Sequence, residues 1–438
     1  MQFLNSMSKT KLKTIFTIVL FTYFQSYAQT LSNSPYSRYG IGDIFDCNNA
    51  QSEAMGGLNQ SLCYSAWINS NNPASYSSIE LSTFQTGIKL SQTQQSSKLD
   101  TKNLRNGNLT SIQLGIPVKK KWAISFGLLP YSGVGYNLSN TGYTTTGEEV
   151  NYIYSGFGGI NRVYLGTGIS PFGKSDSSWL KGFSVGANVS YLFGNIDYER
   201  RALFVNGTSN QFYNLREVNL YQINGVYLDF GAQYKTQLSK KWSLTTGATY
   251  VPSMQVKGKH SGLAQTYYLL NGLEYAKDTV NSFNDISSGL DLPSSFGIGM
   301  STNYSDRLSF GFDYKSQNWS RFKLFDTKNN LSNSSSIAIG AQYIPNPSNG
   351  RGFWQHVQYR AGVSYSESYL KIKDTPINEK SISLGAGFPI IKSLSTLNIA
   401  LKYGTRGTLS NNLLQEQFYS VSLGLTFSDK WFIQRKFD

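Results

Sequence analysis

From Leu81 to the last residues of the chain, apolar side chains return at every second position. Trp122, Ile124, Phe126 and Leu128 alternate with Ala123, Ser125 and Gly127. Phe183, Val185, Ala187, Val189, Tyr191 and Phe193 alternate with Ser184, Gly186, Asn188, Ser190 and Gly194. Val226, Leu228, Phe230, Ala232 and Tyr234 repeat the pattern, as do Ile382, Leu384, Ala386 and Phe388, then Tyr419, Val421, Leu423, Leu425 and Phe427. A period of two is the signature of a strand with unlike faces. The runs last roughly 9–12 residues, the length of a tilted strand crossing a bilayer. A secreted β-sandwich also alternates, but its strands stop at about 5–6 residues. Some 14 to 16 such candidates, counted as in a large barrel, leave no room for a helical domain. Closing them into a ring removes the exposed edges that an open sheet in lipid could not satisfy. The expectation is an all-β chain: an antiparallel transmembrane β-barrel of about 14 strands.

Composition agrees. Charged residues make up 15 %, against an ordinary value of about 25 %, while Tyr (30), Phe (26) and Gly (41) are abundant. Lys9, Lys11 and Lys13 precede an apolar stretch, Thr14 to Phe24, and Ser26-Tyr27-Ala28 supplies small cleavage-site residues. This reads as a signal peptide over 1–28, cleaved after Ala28, and the mature chain is expected in the outer membrane. Its removal takes away three lysines and no acid, lowering the net charge from +14 to +11. The remaining cations are scattered, so nucleic acid is excluded as a partner. Basic rim residues facing anionic outer-membrane lipid account for the balance.

The stretch before the first strand is different. Residues 29–79 carry neither a helical stripe nor sustained alternation, yet contain Tyr36, Tyr39, Ile41, Phe45, Met55, Leu58, Leu62, Trp67 and Ile68. That is too much apolar surface for a solvated tail. The segment is expected to be an N-terminal hatch plugging a barrel formed by residues 80–428, with 429–438 a short amphipathic tail. Within the hatch, Asn72-Pro73-Ala74 is a candidate ligand and gating element. A second is Pro130 with Gly133 and Gly135, where Pro and Gly interrupt a strand ladder. Two readings stand there: an inward kink that opens the wall sideways, or a strand that ends at Pro130. Cys47 and Cys63 are the only cysteines, and for them too a disulfide and two buried free thiols both stand. The segments 137–150, 255–291 and 326–335 are expected to be long polar connections on the outer face.

Catalytic patterns are thin. His260-Ser261 is a dipeptide rather than a triad, Glu148-Glu149 fits a solvated loop, and Gly156-Phe157-Gly158-Gly159 lacks the helix a phosphate loop needs. Neither His260 nor His356 lies in a metal-ligand spacing, so neither an enzyme, a cofactor nor a metal is expected.

Several motifs resemble the FadL-like outer-membrane family. Asn72-Pro73-Ala74 after Gly56-Gly57 is similar to that family's N-terminal segment. Leu292-Pro293-Ser294-Ser295-Phe296-Gly297-Ile298-Gly299, Phe312-Asp313-Tyr314 and Trp319-Ser320-Arg321-Phe322 resemble its paired strands. Ser184–Gly194 resembles its mid-barrel strand, and the chain as a whole looks most like the Bacteroidota members. The resemblance implies a hatch-plugged barrel. The family includes FadL- and TodX-type channels that take up fatty acids or aromatic hydrocarbons and release them through a kinked strand. It also includes PorV-like, protein-binding subunits. The expected function is therefore an outer-membrane channel for hydrophobic small molecules with hatch gating and lateral release. The alternative is a non-transporting barrel subunit of an outer-membrane protein export or assembly complex, whose partners are other outer-membrane or periplasmic proteins.

Overall fold

The structure is a computed structural model. It describes residues 32–46, 48–98, 100–172, 179–204, 212–324, 327–328, 330–347, 352–390 and 393–431. The proposed signal peptide, Cys47 and the tail beyond Trp431 lie outside the described residues.

The alternating runs form one antiparallel wall. In chain order its strands are β1 (Ser82–Ser96), β2 (Thr101–Lys119), β3 (Trp122–Tyr143), β4 (Glu149–Ile169), β5 (Phe183–Phe204) and β6 (Asn214–Gln237). Next come β7, in two pieces (Trp242–Val251 and Met254–Leu270), and β8, also in two (Leu273–Leu292 and Ser295–Tyr304). The rest are β9 (Leu308–Gln317), β10 (Ser334–Tyr343), β11 (Gln358–Glu367), β12 (Glu379–Pro389), β13 (Thr396–Gly407) and β14 (Gln415–Asp429). β1 pairs with β14 from Ser82↔Asp429 to Ser96↔Gln415, which closes the barrel at 14 strands. Closure gives the main-chain groups of the two end strands, β1 and β14, a partner in the sheet, as spanning lipid requires. The two breaks fall at Pro252 and Pro293, which have no N–H to give to a ladder.

Alternation sorts the side chains as expected. Ile88, Phe126, Val189, Leu384 and Leu401 are exposed on the outside, while Gln85, Gln113, Ser125, Asn188 and Ser422 are buried inside. In a bilayer the exposed set is the lipid-facing band. The short turns Lys119–Trp122, Gln237–Trp242 and Tyr304–Leu308 lie at the rim where β1 begins and β14 ends. At the opposite rim β3 to β8 rise above the rest of the wall, the habit of the extracellular side of such barrels.

Several strands are much longer than the sequence runs suggested, up to 24 residues in β6. The expected loop 255–291 is instead a hairpin, paired from Leu273↔Leu270 to Leu292↔Met254 with three register shifts. Its upper part is exposed on both faces, so no apolar/polar contrast marks it as strand. Likewise β3 runs on to Tyr143, which removes the reading in which it ends at Pro130.

Residues 32–80 lie against the inner face of the wall. Leu58, Ile68, Asn72, Ala74 and Tyr76 are all fully buried. The segment follows the wall round, and each strand from β4 to β12 meets it with a glycine. A β-carbon at Gly168 would stand 2.3 Å from Pro73 O, at Gly231 2.1 Å from Asn72 Oδ1, at Gly247 1.9 Å from Gln60 O, and at Gly362 2.2 Å from Met55 C. Side chains at these positions would displace the segment. Overpacking of this kind costs about 1–3 kcal/mol. Gly186→Val, whose β-carbon would lie 2.4 Å from Pro73 C, is therefore expected to expose residues 54–74 to protease. The barrel should keep its heat-modifiable gel mobility, and limited proteolysis of the purified protein checks both.

Candidate functional site

Three features of the lumen define the site: the anchoring of residues 69–76, a break in the wall, and a charged chamber between them.

Asn72 is an N-cap. Its Oδ1 accepts the Ala74 N–H at 3.2 Å, and Pro73 opens the short 3-10 helix Pro73–Ser78. An Asx cap followed by Pro is a standard start for such a turn. The Asn72 Nδ2 donates to Gln60 O at 2.5 Å, tying the turn to the earlier part of the segment. Tyr76 donates to Asn188 Oδ1 at 3.0 Å, and Asn188 in turn donates to Asp229. Asp229 accepts from Arg162 at 3.1 Å, an ion pair buried on both sides. Asn72, Pro73 and Ala74 thus face β4 to β6.

Pro130, Gly133 and Gly135 lie elsewhere, against residues 37–45. The β3–β4 register shifts between Pro130 and Ser132, a bulge at Tyr131. Just there the wall parts. β2 and β3 are paired only between Ile112↔Leu128 and Lys119↔Trp122. Beyond that, β2 stays paired to β1 as far as Thr101, and β3 to β4 as far as Tyr143. The freed edge of β3 is taken by the segment: Asp43↔Gly133 and Ile44↔Ser132 pair antiparallel, and Phe45 N–H donates to Tyr131 O at 3.0 Å. Ser37 Oγ accepts the Gly135 N–H at 3.0 Å. A β-carbon at Gly42 would meet Gly133 O at 2.3 Å, so the two backbones touch. The two sequence-chosen groups are brought together only through the segment that links them.

Next to the break lies a chamber of about 410 Å³, lined on the wall side by Asn106, Asn108, Leu109, Thr110 and Pro130. Its charged residues drew no attention in the sequence. Lys89 of β1 pairs with Glu53, which also accepts from Ser422. Lys315 of β9 holds Asp46 at 2.8 Å, and Arg406 of β13 holds Asp43 at 2.8 Å. Lys402 pairs with Glu379 at 3.0 Å within the wall. Three wall strands therefore each grip one acid of the segment. The signal was present: Lys89, Lys315 and Lys402 occupy inward positions of membrane-spanning strands, where a charge is costly and needs a reason. Lys315 beside Asp46 holds that carboxyl below the usual carboxylate range. Burial pushes Glu53 up, but Lys89 and Lys402 outweigh it and leave Glu53 below its ordinary value.

Above the chamber, toward the tall rim, Tyr36, Ile41, Trp319, Phe322, Tyr369 and Leu370 pack into an apolar cluster. Trp319 stacks on Tyr369 at 4.6 Å, and Tyr369 donates to Gly42 O at 2.8 Å. Trp319 and Phe322, singled out in the sequence as a motif, thus hold the segment. Cys63 is a free, half-buried thiol, while Cys47 lies outside the described residues. Among the described residues no group of His, Cys, Asp and Glu is arranged to hold a metal ion.

Wall, break and lumenal segment define the class: a closed 14-stranded β-barrel of the outer-membrane type. The solved structures it resembles are channels of that type. The CymD monoaromatic hydrocarbon channel is 16 % identical with a TM-score of 0.53, over 89 % of this chain and 98 % of that one. The Pseudomonas putida toluene transporter TodX is 16 % identical with a TM-score of 0.53, over 90 % of this chain and 100 % of that one. A Pseudomonas aeruginosa FadL homologue is 12 % identical with a TM-score of 0.53, over 88 % and 99 %. At these identities the likeness is one of fold. Comparison with curated protein sequences finds no match. The BamG family model matches residues 7–438, and the chain belongs to the BamG family.

Asp46 and Glu53 have lowered pKa values in the folded protein. The stability they add is complete above the ordinary carboxylate range near pH ~4 and is lost as pH falls below it. Acidification below the ordinary carboxylate range should therefore release the segment, seen as protease cleavage within 43–57, before the wall unfolds. Asp229→Asn, which leaves Arg162 buried without its counter-charge, should destabilise the folded protein by about 3–5 kcal/mol, measured by denaturant unfolding in detergent.

Proposed function

We propose that the protein is an outer-membrane channel for hydrophobic or amphipathic small molecules, with residues 32–80 as its hatch and the break between β2 and β3 as a sideways exit. One observation carries this reading: the chamber between segment and wall reaches the break, at Leu109, Thr110 and Pro130. A solute held there has a path into the bilayer that does not cross the lumen. The two-residue pairing of Asp43 and Ile44 with β3 is the element whose release would widen that path. In this reading Asn72, Pro73 and Ala74 are the fixed end of the hatch, and Gly133 and Gly135 are the strand positions against which its mobile end closes. The solved channels of the same fold, a monoaromatic hydrocarbon channel and a toluene transporter, support the substrate class. Cells or proteoliposomes with the protein should take up a labelled fatty acid or toluene faster than those without it. Equal rates would sink the transport reading.

A second reading is a non-transporting, PorV-like barrel subunit of an outer-membrane protein export or assembly complex. It is supported by how firmly the lumen is filled: nine successive strands approach the segment at glycines, and three ion pairs clamp it. Membership of the BamG family rather than of a named channel family points the same way. Under this reading, extraction from the native membrane in gentle detergent should recover stoichiometric outer-membrane or periplasmic partners, and the chamber should stay empty of acyl chains. Migration as a single chain would remove its support.

A further inference from the structure

The outside of the wall has a feature that neither a channel nor a docking role uses. Across β2, β1, β14, β13 and β12 the outward residues fall into three level rows. The middle row is Arg105, Gln92, Tyr419, Tyr403 and Ile382, each directly opposite the next in the ladder. The row nearer the periplasmic rim is Gly107, Leu90, Val421, Leu401 and Leu384. The row nearer the extracellular rim is polar and ends on Lys380, which lies 5.9 Å over the Tyr365 ring. Apolar below, tyrosines in the middle and polar above is the order of a membrane interface.

This patch is concave. A groove of about 580 Å³ runs over it, floored by Leu90, Leu384, Leu401 and Val421. Gly107 leaves its β2 end open, since a β-carbon there would already touch Leu90 at 3.0 Å. Arg105 stands over that end, and its Nε donates to Gln92 Oε1 at 3.1 Å, which sets the guanidinium at the rim. Tyr403 and Tyr419 meet at 4.8 Å and wall the middle. An apolar trough in the bilayer, capped at headgroup level by Arg105, has the complementarity of one kind of molecule: an acyl chain that carries a phosphate.

We infer that this groove is a binding site for a phosphorylated lipid of the outer leaflet, its acyl chain on Leu90, Leu401 and Val421 and its headgroup phosphate held by Arg105. The site lies on the outside of the wall. It ends on β2, the strand that borders the break in the wall, so the bound lipid lies beside that break.

The test uses the full chain, purified in mild detergent and stripped of lipid, titrated by native mass spectrometry. The probes are diphosphoryl lipid A, the same lipid with its phosphates removed, and phosphatidylethanolamine. Wild type should retain one diphosphoryl lipid A and bind the other two more weakly. Arg105→Ala should bind diphosphoryl lipid A about fivefold less tightly, the effect of one interfacial cation, whereas Lys380→Ala, four strands away, should leave binding unchanged. Gly107→Leu, which fills the groove and keeps Arg105, should weaken it too. Heat-modifiable mobility shows that each variant is folded. Equal affinity for the phosphate-free lipid, preference for phosphatidylethanolamine, or unchanged binding by the folded Arg105→Ala variant would each overturn the assignment.

Discussion

The distance between the lumenal backbone and the wall governs this molecule. From β4 to β12 the segment lies so near the strands that the wall has no side chain at the point of approach. Glycine weakens a strand elsewhere, because it adds no packing and costs chain entropy. Here the strand accepts that loss because its neighbours hold the ladder, and the lumen gains contact between two backbones. The polar side chains around the glycines then complete the fit. Asp313 accepts the N–H groups of Asn59 and Gln60 at 2.6 and 2.9 Å, and Gln233 donates to Gln60 O at 3.0 Å. Buried main-chain groups of an irregular segment need such partners, and the wall supplies them.

The same closeness divides the lumen into unlike regions. Where glycines let the segment in, the interior is filled. Where inward lysines and an arginine replace them, the two surfaces separate and a charged chamber results. Ion pairs there link segment to wall without close packing, and they answer to pH in a way the glycine contacts cannot. The break between β2 and β3 falls on this looser side. Its exposed strand edge is partly met by the segment itself, through Asp43 and Ile44 and through Asn33, which donates to Arg105 O at 3.0 Å.

Much of this could be read from the amino acids. Period-two runs such as 183–193 and 419–427 specify strand, face and closure together, because one residue of slip would turn every outward Val and Tyr into the lumen. Asn72-Pro73-Ala74 stood out as a ligand and gating element, while its role as the cap and start of a 3-10 turn is local chemistry that the sequence reading did not use. Pro130, Gly133 and Gly135 were legible as a disturbance in β3, but not its form, since the break depends on where β2 stops pairing. The hairpin 254–292 was misread because strand pairing above the membrane leaves both faces in water and erases the contrast that alternation relies on. The ion pairs were missed for another reason. Asp43, Asp46 and Glu53 sit in a segment without periodicity, and their partners lie up to 363 residues away. The inward glycines are a middle case: their alternation was visible, but what they make room for was not.

Closure of the ring by β1 and β14 has a consequence for the order of assembly. The segment is covalently continuous with β1, yet it touches strands along nearly the whole sequence, and the last pairing joins the two ends of the wall. A chain that sealed first would then have to draw some fifty residues (32–80) through a finished ring and seat them against glycines with no slack. Coming together while the sheet is still open avoids that passage. The segment thus serves as a mandrel: the curved sheet wraps it, and the final seam shuts only over a filled interior. Since nearly all of these contacts are distant in sequence, such a path is slow, and its half-wrapped form, with two long edges showing, is the state most in need of an escort.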